Sequence, residues 1–307
     1  MGLRARLAAL ADKNDVVYSF FTTPAAWFSA AVLVVLVAAA LLAPWLSSVN
    51  PFDLGSLDVT DAHLPPAWTE EGDARFWLGT DDQGRDLWSA ILYGLRLSLS
   101  ISLVSVALSI VIGVGLGVTA GFAGGWIDTV LMRVCDVMLS FPAILVALLA
   151  DGILRSAFPG AAHESVAYFV LIFAITLSGW VPYARTVRGL TLVEKGKEFV
   201  MAAELIGEKK LTVMRRHILP NVLGPVFVLA AVNVATAVMT EATLSFLGVG
   251  VPPTTPSLGT LIRIGNDYLF SGEWWICIFP GIVLIAVVLA VNLLGDWLRD
   301  AVNPGLQ

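Results

Sequence analysis

Histidine and cysteine are nearly missing from this chain. The three histidines, His63, His163 and His217, stand far apart, and no H-E-x-x-H spacing joins them. Metal hydrolysis of that kind has no ligands here. The two cysteines, Cys135 and Cys277, lie singly in apolar stretches, which excludes a C-x-x-C site or a disulfide framework. Both read as small core hydrophobes. Charge is also scarce. Only 14% of the residues are charged and the formal net charge is −6, so no basic surface for nucleic acid is present. The chain has no G-x-x-x-x-G-K-[ST] phosphate loop and no G-x-S-x-G nucleophile turn. It shows no internal repeat, low-complexity tract or sustained heptad run.

What the chain has instead is apolar length. Of its residues, 57% are hydrophobic, and the mean hydropathy is +0.83. A water-soluble core of this size cannot hide that much apolar surface. An all-α integral membrane protein follows, because only helices or closed barrels satisfy the backbone inside lipid. Six stretches are long enough to cross about 30 Å of hydrocarbon: about 27–46, 97–120, 128–150, 166–186, 222–245 and 275–295. The first is too long, and starts too late, for a cleaved signal sequence, so it reads as a retained transmembrane helix. Thirteen of the eighteen Lys and Arg fall on one side of this map, which predicts both termini in the cytoplasm.

The expected organisation is a cytoplasmic segment 1–26, the helix 27–46, an external loop 47–96, a five-helix core 97–297 and a tail 298–307. The external loop carries nine acidic residues. A second long connection, 187–221, is predicted to be cytoplasmic, and connections of such length tend to carry function. Within it, Phe199, Ala202, Ala203 and Ile206 recur at helical spacing and predict one apolar stripe on a short helix. Gly207 can end that helix in a left-handed turn, and Pro220 marks the start of the next helix. A helix with so small a face suits a partner's groove. The same pattern also fits an amphipathic helix lying on lipid.

This segment resembles the E-A-A-x3-G-x9-I-x-L-P signature of ABC-importer permeases, through Ala202, Ala203, Gly207, Leu219 and Pro220. Met201 replaces the signature Glu, and His217 replaces the Ile. Further blocks are similar to the C-type permeases of dipeptide, oligopeptide, nickel and glutathione importers. Leu78–Asp86 (L-G-T-D-D-Q-G-R-D) and Tyr93–Leu99 (Y-G-L-R-L-S-L) come first. Gly124–Asp128, Arg133, Asp136 and Phe141–Pro142 follow, then Leu244–Gly250 (L-S-F-L-G-V-G) with Pro252, Pro253 and Pro256–Ser257. Leu258 replaces the usual Trp. Asn292–Asp300 closes the series, with Asn303 for Asp before Pro304. The resemblance implies a type I importer permease fold in a bacterial inner membrane. It also implies a non-catalytic subunit that needs no cofactor of its own, ATP and Mg being held by partner ATPases. The implied partners are a paralogous B-type permease, two ABC ATPase subunits and an external solute-binding protein. Phe199–Lys210 would then be the helix that couples to an ATPase.

Several residues carry expectations of their own. Gly79, Asp81, Gly84, Arg85 and Asp86 read as a fixed turn capping the outer face. Asp128, Arg133 and Asp136 would form a gate contact or a structural pair, with Arg133 and Asp136 matched at i,i+3. Glu241 would line the path or bond the following loop. Gly113, Gly115 and Gly117 read as a packing face, and Trp27, Trp45, Trp180, Trp274 and Trp275 as interfacial anchors. An ion-coupled carrier is the alternative, but it predicts charges at mid-membrane and repeated halves, and the chain has neither.

Overall fold

A computed structural model of the protein describes residues 15–47, 49–53, 55, 57–157 and 163–302. Arg4, Arg6, Lys13, Asn303 and Pro304 lie outside the described residues. Among those described, every regular element is helical, and the only extended pairing is an isolated bridge between Thr80 and Asp86. In chain order the helices are α1 (Asp15–Thr22), α2 (Pro24–Leu41), α3 (Ala43–Leu46), α4 (Leu87–Ala123), α5 (Gly125–Ser140), α6 (Ala143–Ala157) and α7 (His163–Lys195). Then come α8 (Glu198–Leu205), α9 (Lys210–Phe246), α10 (Leu258–Tyr268) and α11 (Trp275–Val302). Five of them, α2, α4, α7, α9 and α11, are long and apolar enough to cross a membrane. The α5–α6 pair makes a sixth candidate, bent by 94°.

Three boundaries differ from the sequence reading. Helix α4 begins at Leu87, so residues 87–96 belong to it and not to a loop. Asp86 caps it, accepting from Ser89 N–H at 3.1 Å, and Leu87, Ile91 and Leu95 put their apolar faces into the core. Its 37 residues span about 55 Å, well beyond the hydrocarbon thickness. The third span is not straight. Phe141 takes an extended conformation (φ −100°, ψ 133°) ahead of Pro142, as residues before proline do, and the chain turns there. Helix α7 runs on to Lys195, past the expected end at 186.

Helices α4 and α7 form the centre of the bundle. The glycines that let them approach are Gly113, Gly117 and Gly121, one every fourth residue. A Cβ on Gly113 would lie 2.6 Å from the Trp180 carbonyl. On Gly117 it would lie 2.6 Å from the Ala184 carbonyl, and on Gly121 2.9 Å from that of Arg188. Gly115 faces open space and is not part of the contact. The face is therefore a G-x3-G-x3-G series rather than the expected alternate-residue one. Cys135 is buried with Trp180, Val181 and Ala184, which joins α5 to α7. Trp180 is thus a packing residue and not an interfacial anchor. Trp27 and Trp45 stay exposed at opposite ends of α2–α3.

Substitution separates these glycines. Gly117→Leu should abolish accumulation in membranes, because no rotamer avoids the Ala184 backbone. Gly115→Leu should accumulate within about twofold of wild type. Immunoblots of membrane fractions test the pair.

Candidate functional site

Two clusters hold most of the candidate residues, one at each end of the bundle. The cap end is built on Gly79–Asp86. Asp81 is fully buried, and one carboxylate oxygen accepts from Gln83 N–H at 2.9 Å and Arg85 N–H at 3.0 Å. The other oxygen takes Arg85 Nε at 2.6 Å. Arg85 is also fully buried, and its Nη1 reaches the Pro253 carbonyl at 2.5 Å. The turn is thus tied to the loop between α9 and α10. Gly84 sits at φ +75°, where a Cβ would meet the Asp58 carbonyl at 2.3 Å, so no other residue fits.

Around this knot, Thr80 Oγ1 donates to Asp61 O at 2.6 Å, and Trp275 Nε1 donates to Thr80 O at 3.1 Å. His63 Nδ1 lies 2.5 Å from Glu273 Oε2. Burial, with Asp81 second, pushes the Asp82 carboxyl above its usual range. The Pro253, Trp275 and Glu273 contacts are all distant in the chain and have no local signature.

Glu241 is fully buried near this end of α9. Ser245 Oγ donates to its Oε1 at 2.8 Å. Ser98 and Ser257 lie beside the carboxyl, yet Oε2 makes no hydrogen bond of good geometry. Leu258 N–H bonds Ser98 Oγ at 3.3 Å, which draws the α9–α10 loop onto α4. Glu241 is therefore enclosed in the packing at the loop anchor.

The hairpin end is built on α8. Val200 and Ala203 are the buried pair, packed with Val213, Ile218 and Val222. Phe199, Met201, Ala202, Leu205 and Ile206 are exposed, Leu205 at 88% and Ile206 at 83%. The expected stripe is corrected in one member: Ala203 faces the protein while Phe199, Ala202 and Ile206 face out. Gly207 has φ +88° and closes a Schellman turn, with Gly207 N–H to Glu204 O at 3.0 Å and Glu208 N–H to Ala203 O at 3.1 Å. A Cβ there meets nothing within 4 Å, so any cost of replacing it is conformational rather than a clash.

The hairpin is also held from behind. Glu194 takes Lys197 Nζ at 2.6 Å and Asn221 Nδ2 at 3.1 Å. Lys195 Nζ donates to Phe122 O at 2.7 Å at the end of α4, where a cation also suits the helix dipole. His217, out of place in the signature, lies 3.2 Å from Glu208. It falls in a π-helical stretch, Met214–Ile218, beyond which Leu219 and Pro220 carry α9 on.

The charges on α5 pair across helices, not along their own. Arg188 grips Asp128 with two bonds of 2.6 Å, and Arg185 binds Asp136. Arg133 stands 3.9 Å from Asp136 and is largely exposed, so the expected i,i+3 pair is the weaker contact. The partners of these acids on α7 lay outside any local reading. Among the described residues, no group of His, Cys, Asp and Glu could hold a metal ion.

Comparison with known proteins now places this architecture. Residues 113–307 match the family described as the binding-protein-dependent transport system inner membrane component. The chain belongs to that family. Residues 14–66 match the N-terminal TM domain of oligopeptide transport permease C. The dipeptide transport system permease protein DppC of Haemophilus influenzae is 36% identical, over 87% of this chain and 86% of that one. The di/tripeptide permease DppC of Pseudomonas aeruginosa is 37% identical, over 90% and 86%. The inward-facing MetNI methionine ABC transporter has the same fold, with a TM-score of 0.55 at 19% identity, over 69% of this chain and 96% of that one. An amino acid ABC transporter with histidines gives 0.51 at 16% identity, over 67% and 91%. The protein is thus a multi-pass permease subunit of an ABC importer in a bacterial inner membrane. The family it belongs to serves transport systems that depend on a binding protein.

The buried pair at the cap gives a test. Arg85→Ala strands Asp81 without its cation and should cost about 3–5 kcal/mol. The double variant Asp81→Ala/Arg85→Ala should lose less than the two single losses combined. Thermal unfolding of the purified permease in detergent measures the cycle.

Proposed function

We propose that this permease forms half of an import path for short peptides. Its other half is a paralogous B-type permease, two ABC ATPases sit below the pair, and an external binding protein delivers the cargo above. The relatives named for dipeptide and di/tripeptide transport support the choice of cargo. ATP and Mg reside on the ATPases, since this chain has no phosphate loop of its own.

The observation that carries the reading is the exposed apolar face of α8. Leu205 and Ile206 end a short helix with almost all of their surface uncovered, although Val200 and Ala203 bind its other side to the bundle. A large uncovered apolar patch marks a surface that meets a partner. A groove in one ATPase subunit would cover it and move the hairpin when ATP is bound or hydrolysed. The return of Lys195 to α4, and of Glu194 to α9, would then carry that motion into both long helices.

The rival occupant of the same face is lipid, held by Lys209, Lys210, Arg215 and Arg216. Gly207→Val separates the two. A β-branched residue at φ +88° is strained and should unseat the helix end. With ATPase as occupant, this variant should reach the membrane, lose transport at least tenfold and co-purify less ATPase. Charge reversal at Lys209 and Lys210 should do less. Normal transport by Gly207→Val, with transport lost on charge reversal, overturns the assignment.

The reading also fixes the topology, with both termini and the α8 hairpin in the cytoplasm. Ser56, a natural choice for an outside label, lies outside the described residues; Glu70 and Lys209 are exposed alternatives. In a chain with Cys135 and Cys277 replaced, a cysteine at Glu70 should react with an impermeant maleimide on intact spheroplasts. One at Lys209 should react only after lysis. Labelling of both from outside refutes the map.

A further inference from the structure

A cavity of about 280 Å³ opens between α4, the α5–α6 bend, α7 and α9, roughly midway along α4. That volume is at the lower end of the range for small-ligand sites. Its polar lining is Ser109, Ser178, Tyr183, Asn233, Thr236 and Thr240, and no charged side chain borders it. These residues come from three helices, and Asn233, Thr236 and Thr240 recur on α9 at spacings of three and four that put them on one face. Thr236 and Phe141 are exposed at its rim.

One side-chain group in it lacks a hydrogen bond, and one backbone carbonyl lacks its α-helical donor. The Tyr183 hydroxyl belongs to a side chain only 1% exposed, and although Asn233 lies beside it, no hydrogen bond of good geometry joins them. Pro182, also in the lining, has no N–H, so the Ser178 carbonyl loses its helical donor. A buried polar group left unpaired costs about 1–3 kcal/mol, and a protein keeps such groups where something else meets them.

We propose that this cavity is a contact site for cargo, and that it takes an uncharged, hydrogen-bonding segment such as a peptide bond. An amide leaving water needs both a donor and an acceptor. Hydroxyls and the Asn233 amide supply both. A charged terminus would find no counter-ion here, so the site suits the middle of a short peptide and not its ends. The small volume limits it to one such segment at a time. The inference rests on peptide cargo, which names the ligand, while the cavity itself is independent of that choice.

The test uses the whole transporter in proteoliposomes with its binding protein and ATP, and reads initial uptake of dialanine below saturation. Tyr183→Phe keeps the ring and removes the unpaired hydroxyl. It should lower uptake about three- to tenfold, the value of one hydrogen bond to cargo. Thr236→Trp fills the mouth and should lower uptake more than tenfold. Gly281→Ala, whose new methyl meets nothing, serves as control and should match wild type. ATPase co-purified per permease checks assembly. If Thr236→Trp fails to assemble, Tyr183→Phe decides alone.

Wild-type uptake by an assembled Tyr183→Phe complex overturns the site and means that the hydroxyl meets only water. If the wild-type complex carries glutathione and not dialanine, the dipeptide reading fails. The same comparison, run with glutathione, still decides the site, because that solute also carries amides.

Discussion

The close approach of α4 and α7 is the contact on which the other features depend. Three glycines, one per turn, let the α7 backbone touch α4 at Trp180, Ala184 and Arg188. In lipid, helices gain little from hiding apolar surface, so association relies on packing of this kind. Once α7 is seated, Tyr183 and Val187 are pinned against α4, and Lys195 arrives beside the Phe122 carbonyl. The start of the α8 hairpin is therefore set by a contact about three to five turns away. Ser109 against Gly179 continues the same seam and forms one wall of the central cavity.

The cap end works on a different principle. Asp81 and Arg85 are both shut away from water, and their attraction has to offset a large desolvation cost. Further bonds help: two backbone N–H groups on Asp81 and the Pro253 carbonyl on Arg85, although Arg85 Nη2 is left without a hydrogen bond. Such a knot specifies one arrangement more than it adds stability. It fixes the turn before α4 against the loop after α9, so two chain segments 168 residues apart share one geometry.

Much of this was legible in the sequence, and the losses have physical causes. Hydropathy over 20 residues located every long span, since lipid forces that length. It misplaced the start of α4, because Arg96, Tyr93 and Trp88 look like a boundary while Leu87, Ile91 and Leu95 bury the opposite face. The bend at Phe141–Pro142 was visible as a proline, but run length alone reads across it. The motif turn at Gly79–Asp86 is local and could be read as a turn. Its anchors on Pro253 and Trp275 are not local and could not. In α8, periodicity found a stripe but not which side faced out, since Ala203 and Ala202 are alike in composition and differ only in what packs beside them. Local spacing offers Asp136 a partner in Arg133, but the arginines that bind Asp136 and Asp128 come from α7, a distance that no i,i+3 rule reaches.

The arrangement of charge also limits what the α5–α7 face can meet. Arg133, Asp136 and Arg185 are about half exposed or more, although Cys135, Trp180 and Ala184 on the same two helices are buried. An ion held against hydrocarbon costs several kcal/mol, and an exposed pair returns about 1 kcal/mol at best. Bare hydrocarbon is therefore the wrong neighbour for this face. It borders water, headgroups or protein. One turn further along the same two helices, Met138 and Pro182 line the uncharged cavity. The face thus passes from ionic to neutral polar within a single turn of helix. A solute moving along it would exchange charged neighbours for hydroxyls and an amide, which retain a dipolar segment without trapping an ion.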